Sequence, residues 1–242
     1  MAERIEQKEK EVYLAENSLQ KAEINKQKAL IVSLKKQISA HFTVNVLNII
    51  KALAAMGENE KAGLLCDGLS FLLRYANAGD SFISGMDEFF ILEKYTDIME
   101  IRYPGRFTTE IDMVDELDRI ELPRMLLQPI VENSIIHGIV GEELTECGRI
   151  RVYSKICEDT VEITVEDNGK GLTEGQLIKL RTDLRNVDQD NIEVEGLSHV
   201  ALLNIQRRII SYFGVEYGLE IQSALGKGIK VTVRLPLRRR GI

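Results

Sequence analysis

The chain has 242 residues and 44% hydrophobic content, enough for one large domain or two modest ones with a real core. Its net charge of -7 and pI near 5.2 offer no basic footprint for nucleic acid, and no apolar run approaches the ~20 residues of a membrane span. Cys66, Cys147 and Cys157 lie far apart without CxxC spacing, so they read as packing residues in a reducing compartment, not as zinc ligands. The charged start MAERIEQKEK predicts no signal peptide on this chain.

From Ala2 to about Tyr103 there is no proline, and Leu, Glu, Lys and Ala dominate, which is helix composition. Ile24, Ile31 and Ile38 recur every seven residues with Leu34 between the last two, the rhythm of a coiled-coil seam. Continuing that rhythm reaches His41, Asn45 and Asn48, which therefore share one helical face. On other faces Phe42, Val46, Leu47, Ile49, Ile50, Leu53 and Ala54 can pack against a partner helix. A turn at GENEK and the following GLLCDGLSFLLRYA supply that partner, giving a helical hairpin. Two hairpins make a four-helix bundle.

After Pro104 the pattern becomes mixed. RFTTEIDM predicts a strand, LPRMLLQPIVENSIIHG a helix, and GRIRVYSKI and TVEITVEDNGKG two strands joined by a turn at Glu158 and Asp159. Residues 172–198 are charged with little periodicity and predict a mobile loop. The helix VALLNIQRRIISYFG and the strands GLEIQSA and KGIKVTVRLPL close the chain. The fold class is α+β: a helical part over 1–82, then an α/β domain over 83–242.

Three places interrupt apolar patterns with polar side chains. Val161, Ile163, Val165 and Asp167 share one strand parity, so a carboxylate ends an inward-facing row and needs a donor. Gly169 and Gly171 then allow turns and close approach by a flat or anionic ligand, although a plain hairpin with an exposed aspartate has the same spelling. Leu126, Ile130, Asn133 and His137 fall on one helical stripe, where an Asn oxygen suits Mg²⁺ and an imidazole one turn on suits a phosphate; a satisfied core polar group is the alternative for either, and for His137 taken alone the more ordinary one. His41 reads as a register-setting polar residue or as a functional imidazole.

Together QPIVENSIIHG, DNGKG and GKGIKVTV resemble the N box, first glycine box and last glycine loop of the GHKL (Bergerat-type) ATPase domain. With QISAHFTVNVLN, LRYA, FFILEKYTDIMEIRYPGRF and NIQRRI included, the chain is similar to the LytS/YesM-type sensor histidine kinases from about residue 30 to its end. The resemblance implies a coiled-coil and helical-hairpin dimerisation bundle carrying a phosphoacceptor, followed by an α/β-sandwich ATP-binding domain.

By that resemblance His41 is the phosphoacceptor, with Asn45 and Asn48 the asparagines that follow it. Asn133 is the Mg²⁺ ligand, His137 the neighbouring phosphate-side residue, and Asp167 the reader of the adenine amino group. Gly169 and Gly171 admit the nucleotide, Asn204 lies behind the ATP lid, and Gly226 and Gly228 are the final glycine pair. Asn45 or Glu132 holds the proton on the other ring nitrogen of His41.

The chain departs from the family pattern at several positions. Ala40, Thr43 and Val44 replace Pro, Leu and Phe around the acceptor, Ile136 replaces a lysine, and HVALLN replaces the second glycine box, with His199 and Ala201 at its glycines. The implied function is that of a sensor protein-histidine kinase using ATP and Mg²⁺. It would phosphorylate His41 as a homodimer, pass the group to a response-regulator aspartate, and form the cytoplasmic portion of a membrane-anchored sensor. The alternatives are a GHKL ATPase without phosphohistidine chemistry, a nucleotide-binding pseudokinase, and a coiled-coil scaffold.

Overall fold

The alternation read in VEITVED becomes the centre of a five-stranded sheet in a computed structural model, which describes residues 40–77, 81–141, 146–187 and 197–239. The coiled-coil seam of Ile24, Ile31, Leu34 and Ile38 lies outside these residues. Those from His41 onward form one compact unit. Helix α1 spans Ala40–Ala55 and α2 Asn59–Asn77, so α2 already starts inside the GENEK turn. A short strand β1 (Phe82–Ser84) leads into α3 (Gly85–Arg102), whose first turn is capped by Ser84 Oγ accepting from the Asp87 N–H at 3.0 Å. Strand β2 (Phe107–Asp112), a 3₁₀ turn (Asp115–Arg119) and β3 (Glu121–Pro123) follow, with β1 and β3 paired antiparallel.

The predicted helix LPRMLLQPIVENSIIHG is broken up. Its first residues belong to β3, Met125 takes a left-handed φ of 53°, and only Gln128–Asn133 is α-helix, named α4 here. Ser134–Val140 continues as a π-helix, whose wider turn rotates His137 off the stripe predicted for Leu126, Ile130 and Asn133. Strands β4 (Gly148–Cys157) and β5 (Thr160–Asp167) form the expected hairpin, turning at Glu158. Helices α5 (Glu174–Arg185) and α6 (Leu197–Phe213) and strands β6 (Gly218–Ser223) and β7 (Ile229–Pro236) complete the described chain.

Helix α5 corrects the reading of residues 172–198 as a loop without periodicity. Thr173 and Gln176 form a capping box, and Leu180 and Leu184 are buried behind it. Residues 188–196 lie outside the described ones.

The sheet order is β2-β4-β5-β7-β6, with β2 and β4 parallel and the other pairs antiparallel. Register places Val152 opposite Val165 and Val165 opposite Val231, so Ile150, Val152, Ile163, Val165, Val231 and Val233 line one buried face. On the other face Thr164 and Thr232 share a hydrogen bond of 3.1 Å, and Lys155 pairs with Glu162 at 2.8 Å. A one-sided apolar face against helices makes an α/β sandwich.

In the helical part, Phe42, Val46, Leu65 and Leu72 are buried, but Leu47 and Ala54, expected to pack, are exposed in the single chain. Cys66 and Cys147 are exposed too, against their reading as packing residues. No helix among the described residues is long and apolar enough to cross a membrane.

Candidate active site

Period-two alternation carries Asp167 to the buried end of β5, opposite Ile150, with only 4% of its surface exposed. Its Oδ1 accepts from the Gly169 N–H at 2.9 Å and from the Ile229 N–H at 3.2 Å. Its Oδ2 is buried with no hydrogen-bond partner. Burial pushes the carboxyl up from the usual aspartate range, opposed by Ser134 and by those two amides. A buried oxygen left without a donor in an otherwise satisfied group is an acceptor waiting for a ligand.

Glycines let the loops beside this carboxylate pack closely against one another. Gly171 has a φ of +66°, and a Cβ there would run into the Ala224 carbonyl; Gly228 has a φ of +77°, and its Cβ would strike the Asp167 carbonyl. A Cβ on Gly169 would meet the Gly138 carbonyl, so the loop after β5 lies directly on the π-helix. Hydrogen bonds lock this arrangement: Lys170 N–H donates to the Gly138 carbonyl at 3.0 Å, Gly226 N–H to the Lys170 carbonyl at 2.6 Å, and Ser223 Oγ to the Gly228 carbonyl at 2.7 Å. The structure therefore joins Asp167, Gly169, Gly171, Gly226 and Gly228 with the π-helix in one cradle.

Asn133 ends α4 half-buried, just before the π-helix. His137 is exposed on the π-helix, and partial desolvation of its ring and the positive charge of Lys170 lower its imidazole from the ordinary value. Glu132 is half-buried, and burial pushes its carboxyl up against the opposing charge of Arg102. Asn204 is half-buried on α6, one turn before Arg208, whose Nη2 donates to the Met125 carbonyl at 3.0 Å just ahead of α4.

His41 and Asn45 belong to α1, where Asn45 is half-buried and Asn48 exposed. The residue after His41, Phe42, stacks on Tyr95 of α3 with ring centroids 5.5 Å apart. The Tyr95 hydroxyl is buried without a hydrogen-bond partner, and it is pushed up by burial and by the charge of Glu132. His199, at the start of α6, has no described side chain.

Several contributors escaped the sequence reading. Ser134 is buried beside Asp167, and Gly138 provides the carbonyl that seats Lys170. Asn168 ties the loop back to β4, its Oδ1 accepting from the Arg149 N–H at 2.6 Å and its Nδ2 donating to the Cys147 carbonyl at 3.2 Å. Gly138 and Asn168 both stand inside the quoted motifs, so the motif boundaries were the available signal.

The fit to known proteins follows the same division. The histidine kinase profile matches residues 29–107, and the profile of histidine kinase-, DNA gyrase B-, and HSP90-like ATPases matches residues 118–239. The chain is 31% identical over 223 residues to the sensor histidine kinase YesM of Bacillus subtilis, covering 89% of this chain and 36% of the relative. It is 34% identical over 209 residues to the sensor protein LytS of Oceanobacillus iheyensis, covering 85% of this chain and 34% of the relative. It spans about a third of the length of these curated relatives. A solved histidine kinase domain from a blue-light activated kinase of Erythrobacter litoralis superposes with a TM-score of 0.44 at 15% identity, covering 82% of this chain and 96% of that one.

Proposed function

This chain belongs to the histidine kinase-, DNA gyrase B-, and HSP90-like ATPase family, and from that premise we propose that it is the kinase portion of a two-component sensor, transferring the γ-phosphoryl group of ATP to His41. The observation that carries the reading is Asp167 Oδ2, a buried acceptor without a partner, set among loops that glycines let pack closely against one another. The adenine amino group supplies the donor this oxygen lacks.

Phosphoryl transfer asks for positioning and neutralised charge more than for activation. A neutral imidazole already holds a nucleophilic lone pair at a pH above ~6.5. In the proposed step a ring nitrogen of His41 forms a bond to the γ-phosphorus as the bond to the ADP oxygen breaks, and the proton of the other ring nitrogen leaves. Glu132 is our first candidate to take or hold that proton: burial raises its basicity, and its charge is felt at Tyr95, on which Phe42 of α1 stacks. Asn45 is the second candidate for holding it. His137, which feels the positive charge of Lys170, is the candidate for a contact with the phosphates.

No group of three or more His, Cys, Asp or Glu among the described residues could hold a metal ion. In this reading the Asn133 carboxamide would hold Mg²⁺ together with the nucleotide's own phosphates, whose negative charge the ion would offset. Gly226, Gly228 and Asn204 complete the nucleotide contacts.

The proposed unit is a homodimer. Val44, Leu47, Leu64 and Phe90 are left exposed in the single chain, and a groove of about 980 Å³ between α2 and α3 is lined by Leu64, Phe71 and Phe90. The partner in signalling is a response regulator receiving the group on an aspartate, and the longer protein is a membrane-anchored sensor with this portion in the cytoplasm. Incubation with labelled ATP and Mg²⁺ tests the reading: His41→Gln should abolish an acid-labile, alkali-stable label while nucleotide affinity holds. Label that persists in that variant rules out His41, and hydrolysis without any protein-bound label makes the chain an ATPase instead.

A further inference from the structure

Glu88 is a carboxylate only 1% exposed, set among Phe89, Ile91 and Leu92 in the first turns of α3, and the proposed chemistry does not use it. Burying such a charge is costly unless it is matched by donors. Three consecutive amides match it: Oε2 accepts from the Met125 N–H at 2.8 Å, and Oε1 from the Leu126 and Leu127 N–H groups at 2.6 and 3.0 Å. Arg208 of α6 is the positive charge opposing its burial, and it holds the Met125 carbonyl of the same turn. A carboxylate thus fills a nest of successive amides where the chain leaves β3 in a left-handed turn and enters α4.

Helix α4 is six residues long and passes without a break into the π-helix Ser134–Val140, so the hold on its first turn sets where this helical run, with Asn133 inside it, begins. The same turn is tied to the end of α2. Arg124 Nη1 donates to the Tyr75 carbonyl at 2.6 Å, its guanidinium lies 4.4 Å from the Tyr75 ring centroid, and the Tyr75 hydroxyl makes a long hydrogen bond of 3.4 Å to Glu88 Oε2. Burial and the Glu88 charge push that hydroxyl up, so it remains a donor.

We propose that Glu88 is a positioning residue that aims α4, and with it Asn133, at the nucleotide, and that Tyr75 makes this aim depend on where α2 ends. The helical hairpin and the nucleotide site then share one buried junction. This rests on the nucleotide site proposed above.

The test uses the full chain, binding a non-hydrolysable ATP analogue with Mg²⁺ by calorimetry, alongside initial rates of His41 labelling and thermal melts. Glu88→Gln retains an acceptor oxygen for two amides but turns an NH₂ toward the third. It should weaken binding several-fold, and Glu88→Ala should weaken it about tenfold or more, as losses of supporting partners do. Tyr75→Ala should lower kcat for labelling several-fold with little change in KM for ATP, and Tyr75→Phe, which keeps the ring beneath Arg124, should restore most of the rate. A merely structural role would lower the melting temperature and leave the affinity of the folded protein and the KM-against-kcat pattern unchanged; that result overturns the proposal. Where Glu88→Ala does not fold, Glu88→Gln and Tyr75→Ala decide. Wild-type protein that binds no nucleotide overturns the proposed function, and this inference with it.

Discussion

The ring of Phe42 lies on that of Tyr95, centroids 5.5 Å apart and planes inclined by 30°, and this contact fastens α1 to α3 immediately after His41. Phe42 is 6% exposed and Tyr95 fully buried, so a residue next to the proposed acceptor is part of the core around α4.

Truncating that contact should loosen α1. Removing a buried phenylalanine ring costs about 3 kcal/mol or more, so Phe42→Ala should lower the urea midpoint and slow His41 labelling. Phe42→Leu should recover most of the stability. A Phe42→Ala protein with an unchanged midpoint would place the ring outside the core.

Asp167→Ala removes the only buried acceptor proposed for the adenine amino group, and leaving a ligand donor unpaired costs about 1 to 3 kcal/mol. ATP affinity should fall roughly tenfold, a change of ~1.4 kcal/mol. The wild-type affinity should also fall at acid pH, because burial places the Asp167 carboxyl above its ordinary 3.8 and protonation weakens it as an acceptor. Folding moves the other way: a raised folded-state value contributes stability in full below the unfolded pKa and loses it as pH rises through the folded one. Calorimetric titrations and melts across the acid range separate the two trends, and a pH-independent affinity would remove Asp167 from the site.

Gly228 and Gly226 share a left-handed backbone, with φ of +77° and +73°, but differ in their surroundings. A Cβ on Gly226 meets open space, whereas one on Gly228 collides with the Asp167 carbonyl. Gly226→Ala should therefore cost only backbone strain, on the order of 1 kcal/mol, and Gly228→Ala should cost more and abolish ATP binding. Equal effects in melts and binding would show that the collision is relieved by loop movement.

His199 and Ala201 stand at positions inside α6, which begins at Leu197. Replacing both by glycine should cost the helix about 1 kcal/mol each. It should also free the backbone amides ahead of the phosphates, so ATP binds more tightly while His41 is still labelled. Labelling that falls while affinity holds would make His199 a donor to the phosphates.

The features legible in the sequence are those written within a few residues. The row Val161, Ile163, Val165 and Asp167 announces a strand with a buried carboxylate because side chains alternate with a fixed period of two. Thr173 and Gln176 with Leu180 and Leu184 announce α5 just as locally, within a stretch whose many charges mask the stripe. Motif order also marks the glycine cradle, since each glycine answers a backbone need of its own loop.

The tertiary structure alone decided what joins those pieces. The π-helix turns His137 away from its predicted stripe, at the point where Gly138 must seat the loop after Asp167. Glu88 finds its three amide partners 37 to 39 residues further along the chain, and Phe42 finds Tyr95 on another helix. Propensity and periodicity act between near neighbours along the chain. A buried charge or ring is satisfied by whatever distant segment packing brings to it.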